Sequence, residues 1–249
     1  MKKAFYIIIL LVLTYQMSFT QSLTAEEVLK NVDKNFIYNS AEILSELKVY
    51  ENDEIIIYQK IHSYVKGKEK SFAEVLSPAR DAGTKFLKIG DQMWMYLPDA
   101  DRVIKISGHL LRQSMLGSDF SYEDAMEGSK SYEELYNIEK FSIDTLKGKE
   151  YYKITLTAKD RKTTYYKRIL WIDKENFIPM REERFSRQGK LLKVFEIIDV
   201  EKFGNRFYPV KAILRDVLRK NTYTEMNVIS VKFDITLSED IFTRANLTR

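Results

Sequence analysis

Apolar and polar residues alternate along most of this chain, and that period of two is its dominant signal. Alternation places successive side chains on opposite faces of a β-strand. It predicts strands at Ile43–Tyr50, Glu54–Val65, Phe72–Ser77, Lys85–Ile89, Gln92–Leu97 and Arg102–Ile106. After a break it resumes at Asn137–Ile143, Tyr151–Ala158, Tyr165–Ile172, Pro179–Ser186, Leu191–Phe203, Arg206–Leu218 and Tyr223–Phe233. Turn residues such as Lys147-Gly148-Lys149, Arg187-Gln188-Gly189-Lys190 and Phe203-Gly204-Asn205 fall between strands, so consecutive strands are expected to pair as antiparallel hairpins in one long meander. Strand twist keeps a sheet of this size from lying flat, and the expected result is a barrel or an open half-barrel.

Two segments leave the β period. From Thr24 to Phe36, Val28, Leu29, Val32 and Phe36 recur on one helical face, with Thr24 as N-cap and Glu26 and Glu27 in the first turn. The second runs from His109 to Met126, where Leu110, Leu111, Met115 and Leu116 precede Phe120 and Tyr122 and form a helix-capable plug or lid. Just before it, the hairpin carrying Phe86, Leu87, Trp94 and Tyr96 is apolar on both faces. A half-exposed strand would keep one face polar, so this hairpin is expected to be covered on one side by the sheet and on the other by a helix or a ligand.

The first twenty residues read as a secretory leader. Lys2 and Lys3 form the positive start, Ala4 to Leu13 are apolar, and Ser18-Phe19-Thr20 supplies a cleavage site after Thr20, with Ser22 as the next choice. The apolar run is shorter than the ~20 residues a membrane-spanning helix needs. The expected mature chain, 21–249, has no internal repeat or linker and reads as a single mainly β domain of an exported, soluble protein.

Composition narrows the partners. Removing the two leader lysines from a net charge of +4 leaves +2, and basic residues are interleaved with acids, as in Arg181-Glu182-Glu183-Arg184. That alternation argues against a nucleic-acid partner, which needs a basic stripe. The chain has no cysteine, so its stability rests on core packing without disulfides, and the lipid attachment that requires an N-terminal cysteine is not available. None of the common hydrolase, P-loop or dinucleotide motifs is present, and no enzymatic role or cofactor is expected. His62 and His109 fall in different elements and read as structural. Asp119, Glu123 and Asp124 read as a helix cap at Asp119 or Ser118 and a solvated acidic turn rather than a metal site.

The run Ser77-Pro78, Gly83-Thr84-Lys85-Phe86-Leu87, Trp94-Met95-Tyr96-Leu97-Pro98 and Gly117-Ser118-Asp119-Phe120-Ser121-Tyr122-Glu123-Asp124 resembles the LolA-like outer-membrane lipoprotein-sorting protein family, as does the tail Asp240-Ile241-Phe242-Thr243-Arg244-Ala245-Asn246-Leu247. The resemblance implies a curved antiparallel β half-barrel, an incomplete barrel with helices over its concave face. It also implies a soluble periplasmic carrier for the acyl chains of lipids or lipoproteins, serving an inner-membrane transporter or an outer-membrane acceptor. No residue here matches that family's gating arginine. The candidate ligand contacts are Phe86, Trp94, Tyr96, Leu110, Leu111, Met115, Leu116 and Phe120, with Met93, Met95, Met115 and Met126 as adaptable lining. The competing reading is a non-enzymatic envelope adaptor that docks an export pump or envelope complex, its interior filled by its own side chains.

Overall fold

The computed structural model describes residues 23–249 apart from 129 and 162; the expected leader, residues 1–20, lies outside the described residues. Helix α1 (Ala25–Phe36) opens on a capping box in which Thr24 and Glu27 each accept from the other's backbone N–H. Its buried stripe of Val28, Leu29 and Val32 is the one the 3.6-residue period singles out. Phe36 packs only partly buried at the stripe's end.

Thirteen strands follow: β1 (Ser40–Glu51), β2 (Glu54–Lys66), β3 (Lys70–Ser77), β4 (Lys85–Ile89), β5 (Gln92–Leu97), β6 (Arg102–Ile106), β7 (Tyr136–Leu146), β8 (Lys149–Ala158), β9 (Lys167–Asp173), β10 (Pro179–Phe185), β11 (Leu191–Phe203), β12 (Arg206–Asp216) and β13 (Thr222–Phe233). All belong to one antiparallel sheet in the order β6-β5-β4-β3-β2-β1-β13-β12-β11-β10-β9-β8-β7. Neighbours in sequence pair as the turn signals predict, with one exception. The meander is interrupted between β6 and β7, and the first and last strands pair instead, with Leu47 opposite Met226 and Val49 opposite Thr224. The sheet is therefore two meanders joined through β1 and β13, open at its β6 and β7 edges.

The connection between β6 and β7 crosses the inner face. A 3₁₀ turn at Gly108–Arg112, an irregular stretch, α2 (Tyr122–Glu127) and α3 (Tyr132–Leu135) replace the continuous helix that His109–Met126 could have formed. Leu116 and Gly117 both adopt positive φ, 55° and 75°, which no continuing right-handed helix tolerates. Ser121 caps α2, and its partner in the capping box is Asp124; the expected cap at Asp119 or Ser118 does not form. Asp119 is buried at 1 % exposure, not part of a solvated turn.

How strongly the sheet curls follows from what α2 touches. Tyr122 at its start packs against Phe86 of β4, ring centroids 6.1 Å apart, while Asp124 lies 2.7 Å from Arg184 of β10. Those strands are seven steps apart in the sheet. In a flat sheet that separation is roughly 33 Å, whereas a six-residue helix spans about 9 Å. The two halves must wrap around the segment that crosses them.

Helix α1 fills one part of the inner face. Val28, Leu29 and Val32 are buried against Ile154 and Leu156 of β8 and Leu170 and Ile172 of β9. Each such side chain stabilises the docking by about 1.5–3 kcal/mol. The outer face of β3–β5 is covered separately, by the C-terminal segment containing a 3₁₀ turn (Glu239–Phe242) and α4 (Arg244–Leu247). Leu237, Phe242 and Leu247 pack there on Phe72, Leu87 and Trp94. The hairpin that is apolar on both faces is thus covered twice, by the crossing segment inside and by the chain's end outside.

Candidate functional site

The register of β1–β5 fixes which side chains point inward. Ile43 faces Ser63, Ser45 faces Ile61, Ser63 faces Ala73, Ala73 faces Phe86, and Ser71 faces Lys88. These residues share one face because opposite residues in a ladder project to the same side. Small Ser and Ala alternate with Ile, Phe and Met across that face, so it is lined but not filled.

Above it, the segment from Met115 to Gly128 forms a roof. Between sheet and roof lies a cavity of about 330 Å³, lined by Ile43, Leu47, Ile61, Val65, Phe86, Met93 and Met226 from the sheet, by Met115, Leu116 and Phe120 from the roof, and by Phe36, Ile37 and Tyr38 beyond the end of α1. That volume falls within the range of sites that hold small molecules. Its charged lining residues are Lys68, Lys70, Lys88 and Asp124.

The eight sequence candidates divide between three places. Phe86, Met115, Leu116 and Phe120 line the cavity. Leu110 and Leu111 pack beside it against the Val75, Phe86, Met93 and Ile106 cluster. Trp94 and Tyr96 lie on the outer face with Leu237 and Phe242, since Trp94 is opposite Leu87 and not Phe86. Alternation told which residues share a face but not which face is inside. Of the four methionines proposed as lining, Met93 and Met115 reach the cavity; Met95 and Met126 belong to the neighbouring cluster.

Beside the apolar cavity, and sharing Phe36, Ile37, Asp124 and Gly128 with it, lies a second, more polar space of about 190 Å³ over β9–β11. It holds a network of buried charges that sequence reasoning missed. Arg184 donates to Asp124 Oδ1 at 2.7 Å and to Glu182 Oε1 at 2.9 Å. Lys193 Nζ donates to Asp124 Oδ2 at 2.5 Å and to the Asp119 carbonyl at 2.7 Å. Arg168 donates to Glu182 at 2.8 Å, to the Tyr136 hydroxyl at 2.7 Å and to Glu127. Arg184, Arg168 and Lys193 also lie over the ring of Tyr165; the strand predicted from Tyr165 begins two residues later, as β9.

Because burial penalises each of these charges, their partners decide the protonation states. Burial alone would raise the Asp124 carboxyl, but Arg184 and Lys193 outweigh it and hold it well below the usual carboxylate range. Burial is likewise outweighed at Glu182 by Arg184 and Arg168, which lower it. At Glu127 burial prevails over Arg168 and raises the carboxyl. The arrangement pins α2 to the far half of the sheet through Asp124 and Glu127, so the same helix roofs the cavity and is anchored across it. Its signal in the sequence is Arg168, Glu182, Arg184 and Lys193 at inward positions of strands otherwise apolar on that side.

Glu182 and Glu183 project to opposite faces, as their adjacency on a strand requires: Glu182 enters the network and Glu183 pairs with Arg181 outside it. His62 pairs with Glu42 at 3.0 Å. Among the described residues no group of three or more His, Asp or Glu is placed to hold a metal ion, and no helix is long and apolar enough to cross a membrane.

The chain is thus an open antiparallel sheet curled around an apolar cavity, with helices on its inner face. Solved structures share this fold, three of them over nearly their whole length. A domain from Vibrio parahaemolyticus, provisionally described as an outer membrane lipoprotein-sorting protein, aligns with a TM-score of 0.78 at 21% identity, covering 91% of this chain and 100% of its own. A DUF1329 family protein from Desulfovibrio piger aligns with a TM-score of 0.81 at 21% identity, covering 88% and 96%. A LolA superfamily protein from Nitrosomonas europaea gives 0.75 at 23% identity, covering 90% and 100%. At these identities the likeness is one of fold. The chain belongs to the family whose model, described as "Uncharacterized protein", matches residues 67–249. No curated protein matches it.

Proposed function

We propose that this protein is a non-enzymatic carrier that shields acyl chains of lipids or lipoproteins in the cavity between β1–β5 and the roof. The observation that supports this most is the cavity: about 330 Å³ of predominantly apolar space, roofed by Met115, Leu116 and Phe120. Withdrawing an acyl chain from water into such a space yields roughly 0.8 kcal/mol per methylene, which suffices for binding without any acid, base or nucleophile. Methionines in the lining suit ligands of varied shape. The shared fold with a domain described as lipoprotein-sorting supports the same cargo class. The leader expected at residues 1–20 supports delivery to the periplasm, with a membrane transporter or an outer-membrane acceptor as exchange partners.

The deciding experiment is native mass spectrometry of protein exported from a bacterial host and purified without detergent, before and after organic extraction. The expected result is a discrete extractable mass of lipid size near one per chain, and saturable uptake of a fluorescent fatty acid after extraction. A protein that carries no lipid, takes up no fatty acid of any length and co-purifies with a protein partner would overturn carriage in favour of the adaptor role.

A further inference from the structure

We propose that β7 is the interface of a two-fold dimer, in which the β7 strands of two copies of this chain pair antiparallel about Ser142. The sheet ends in two open edges, and they are built differently. At one end β6 is five residues long and carries exposed Arg102 and Lys105, the short, charged form that blocks an edge against further pairing. At the other, β7 runs for eleven residues and exposes Phe141 and Ile143, the latter at 57 %. A long edge with apolar side chains is a template for another strand.

The β7–β8 turn fixes which backbone groups that edge offers. Lys147 and Gly148 both have positive φ, 52° and 81°, and form a two-residue turn closed by Leu146 and Lys149. The closing residues of such a turn exchange both backbone hydrogen bonds, and the bonding direction alternates from there along the strand. Leu146, Asp144, Ser142 and Lys140 therefore bond to β8, while Thr145, Ile143 and Phe141 turn their N–H and C=O groups to the open side. The Thr145 N–H donates to Asp144 Oδ1 at 2.9 Å, which caps the edge at that point. Phe141 and Ile143 are left to receive a strand.

A second copy of β7 fits them. Setting Phe141 of one copy opposite Ile143 of the other uses the edge groups of both residues and puts Ser142 opposite Ser142 on the two-fold axis. The same register sets Lys140 opposite Asp144 twice, an opposite-charge cross-strand pair on the outer face. Lys153 and Trp171 engage Oδ2 of Asp144, so the incoming ammonium meets Oδ1. On the inner face Phe141 and Ile143 of both copies join beside Ile154 and Tyr152, their ladder partners in β8. A slip of two residues would set Lys140 opposite Ser142 or Leu146 and lose the charge pairing. The cavity lies over β1–β5, away from this edge, so the dimer stands independently of the carrier reading.

Sedimentation velocity of the mature chain over a concentration series at pH 7 is expected to show a reversible monomer–dimer equilibrium. Ile143→Lys is expected to weaken the dimer by about tenfold or more, with an unchanged circular dichroism spectrum because the side chain is exposed. The chain has no cysteine, so Ser142→Cys places one thiol per copy at the two-fold axis. Opposed Cα atoms there lie about 4.5 Å apart, within disulfide reach. Under mild oxidation Ser142→Cys is expected to crosslink into a dimer, while Lys147→Cys, roughly 34 Å from its counterpart in this register, is not. A wild type that stays monomeric to its solubility limit overturns the inference. So does a dimer that survives Ile143→Lys, or one in which Lys147→Cys crosslinks as fast as Ser142→Cys.

Discussion

Asp124 of α2 and Arg184 of β10 form a 2.7 Å ion pair, the carboxylate buried and the guanidinium largely so, that links the roof of the cavity to the far half of the sheet. Asp124 also accepts from Lys193, so its carboxylate joins a short helix to two strands. Removing the carboxylate leaves Lys193 buried without an acidic partner and Arg184 with Glu182 alone. Asp124→Asn is expected to cost about 3–5 kcal/mol, the usual consequence of breaking a buried pair from one side. Urea denaturation at pH 7 checks it, and a loss under 1 kcal/mol would mean that the network contributes little.

The same carboxylate makes stability depend on acid. Its folded pKa lies below its unfolded value of ~3.9, so its contribution is full above that value and is lost as pH falls toward the folded pKa. Wild type is expected to lose stability below about pH 4 more steeply than Asp124→Asn. Parallel acid limbs in the two proteins would contradict the assignment.

Asp33 of α1 has the opposite sign. Burial, with Glu133 and Glu134 adding repulsion against a smaller attraction from Lys68, raises its pKa to about 6. The folded state therefore binds this proton more tightly than the unfolded one, and stability falls as pH rises from ~4 to the folded value. Asp33→Asn is expected to raise the urea midpoint at pH 7 and to leave it unchanged at pH 4. A gain of equal size at both pH values would point to a cause other than ionisation.

The two faces of the β4–β5 hairpin predict different phenotypes. Trp94→Ala removes a side chain packed on Leu237, Phe242 and Leu247, and is expected to cost about 3–5 kcal/mol without changing fatty-acid uptake per folded molecule. Met115→Asp places a charge in the cavity lining and is expected to abolish uptake while circular dichroism remains that of a β-sheet. Loss of uptake in Trp94→Ala at full folding would move the site to the outer face.

Gly117 tests the roof's backbone. Its φ of 75° suits glycine, and an added Cβ would lie 2.7 Å from Ile57 Cδ1. Gly117→Ala is expected to destabilise by about 1–2 kcal/mol, chiefly through backbone conformation. Because the tip of Ile57 can move aside, adding Ile57→Val is expected to recover little of that loss. Full recovery would assign the cost to the contact instead.

Strand periodicity placed every strand, and Lys85–Ile89, Gln92–Leu97, Arg102–Ile106 and Leu191–Phe203 end where the pattern ends. Helix α1 was equally legible, since Thr24, Glu27 and the Val28, Leu29, Val32 stripe are all local features. Four of the eight candidate contacts reach the cavity, and those on the outer face, Trp94 and Tyr96, share a strand with inward Met93. The charge network left only a faint trace, because Asp124 and Arg184 are sixty residues apart in sequence.

What the sequence determined by itself was therefore everything that propagates along the chain: period, caps, turns and the antiparallel pairing of neighbours. Tertiary structure decided the pairing of β1 with β13, the path of residues 108–135 across the inner face, and which side of the Phe86 hairpin is inside. A period of two distinguishes two faces without labelling either, and an apolar hairpin offers no polar side to mark the exterior. Only the closing of the first strand onto the last gives the sheet an inside, and with it a cavity.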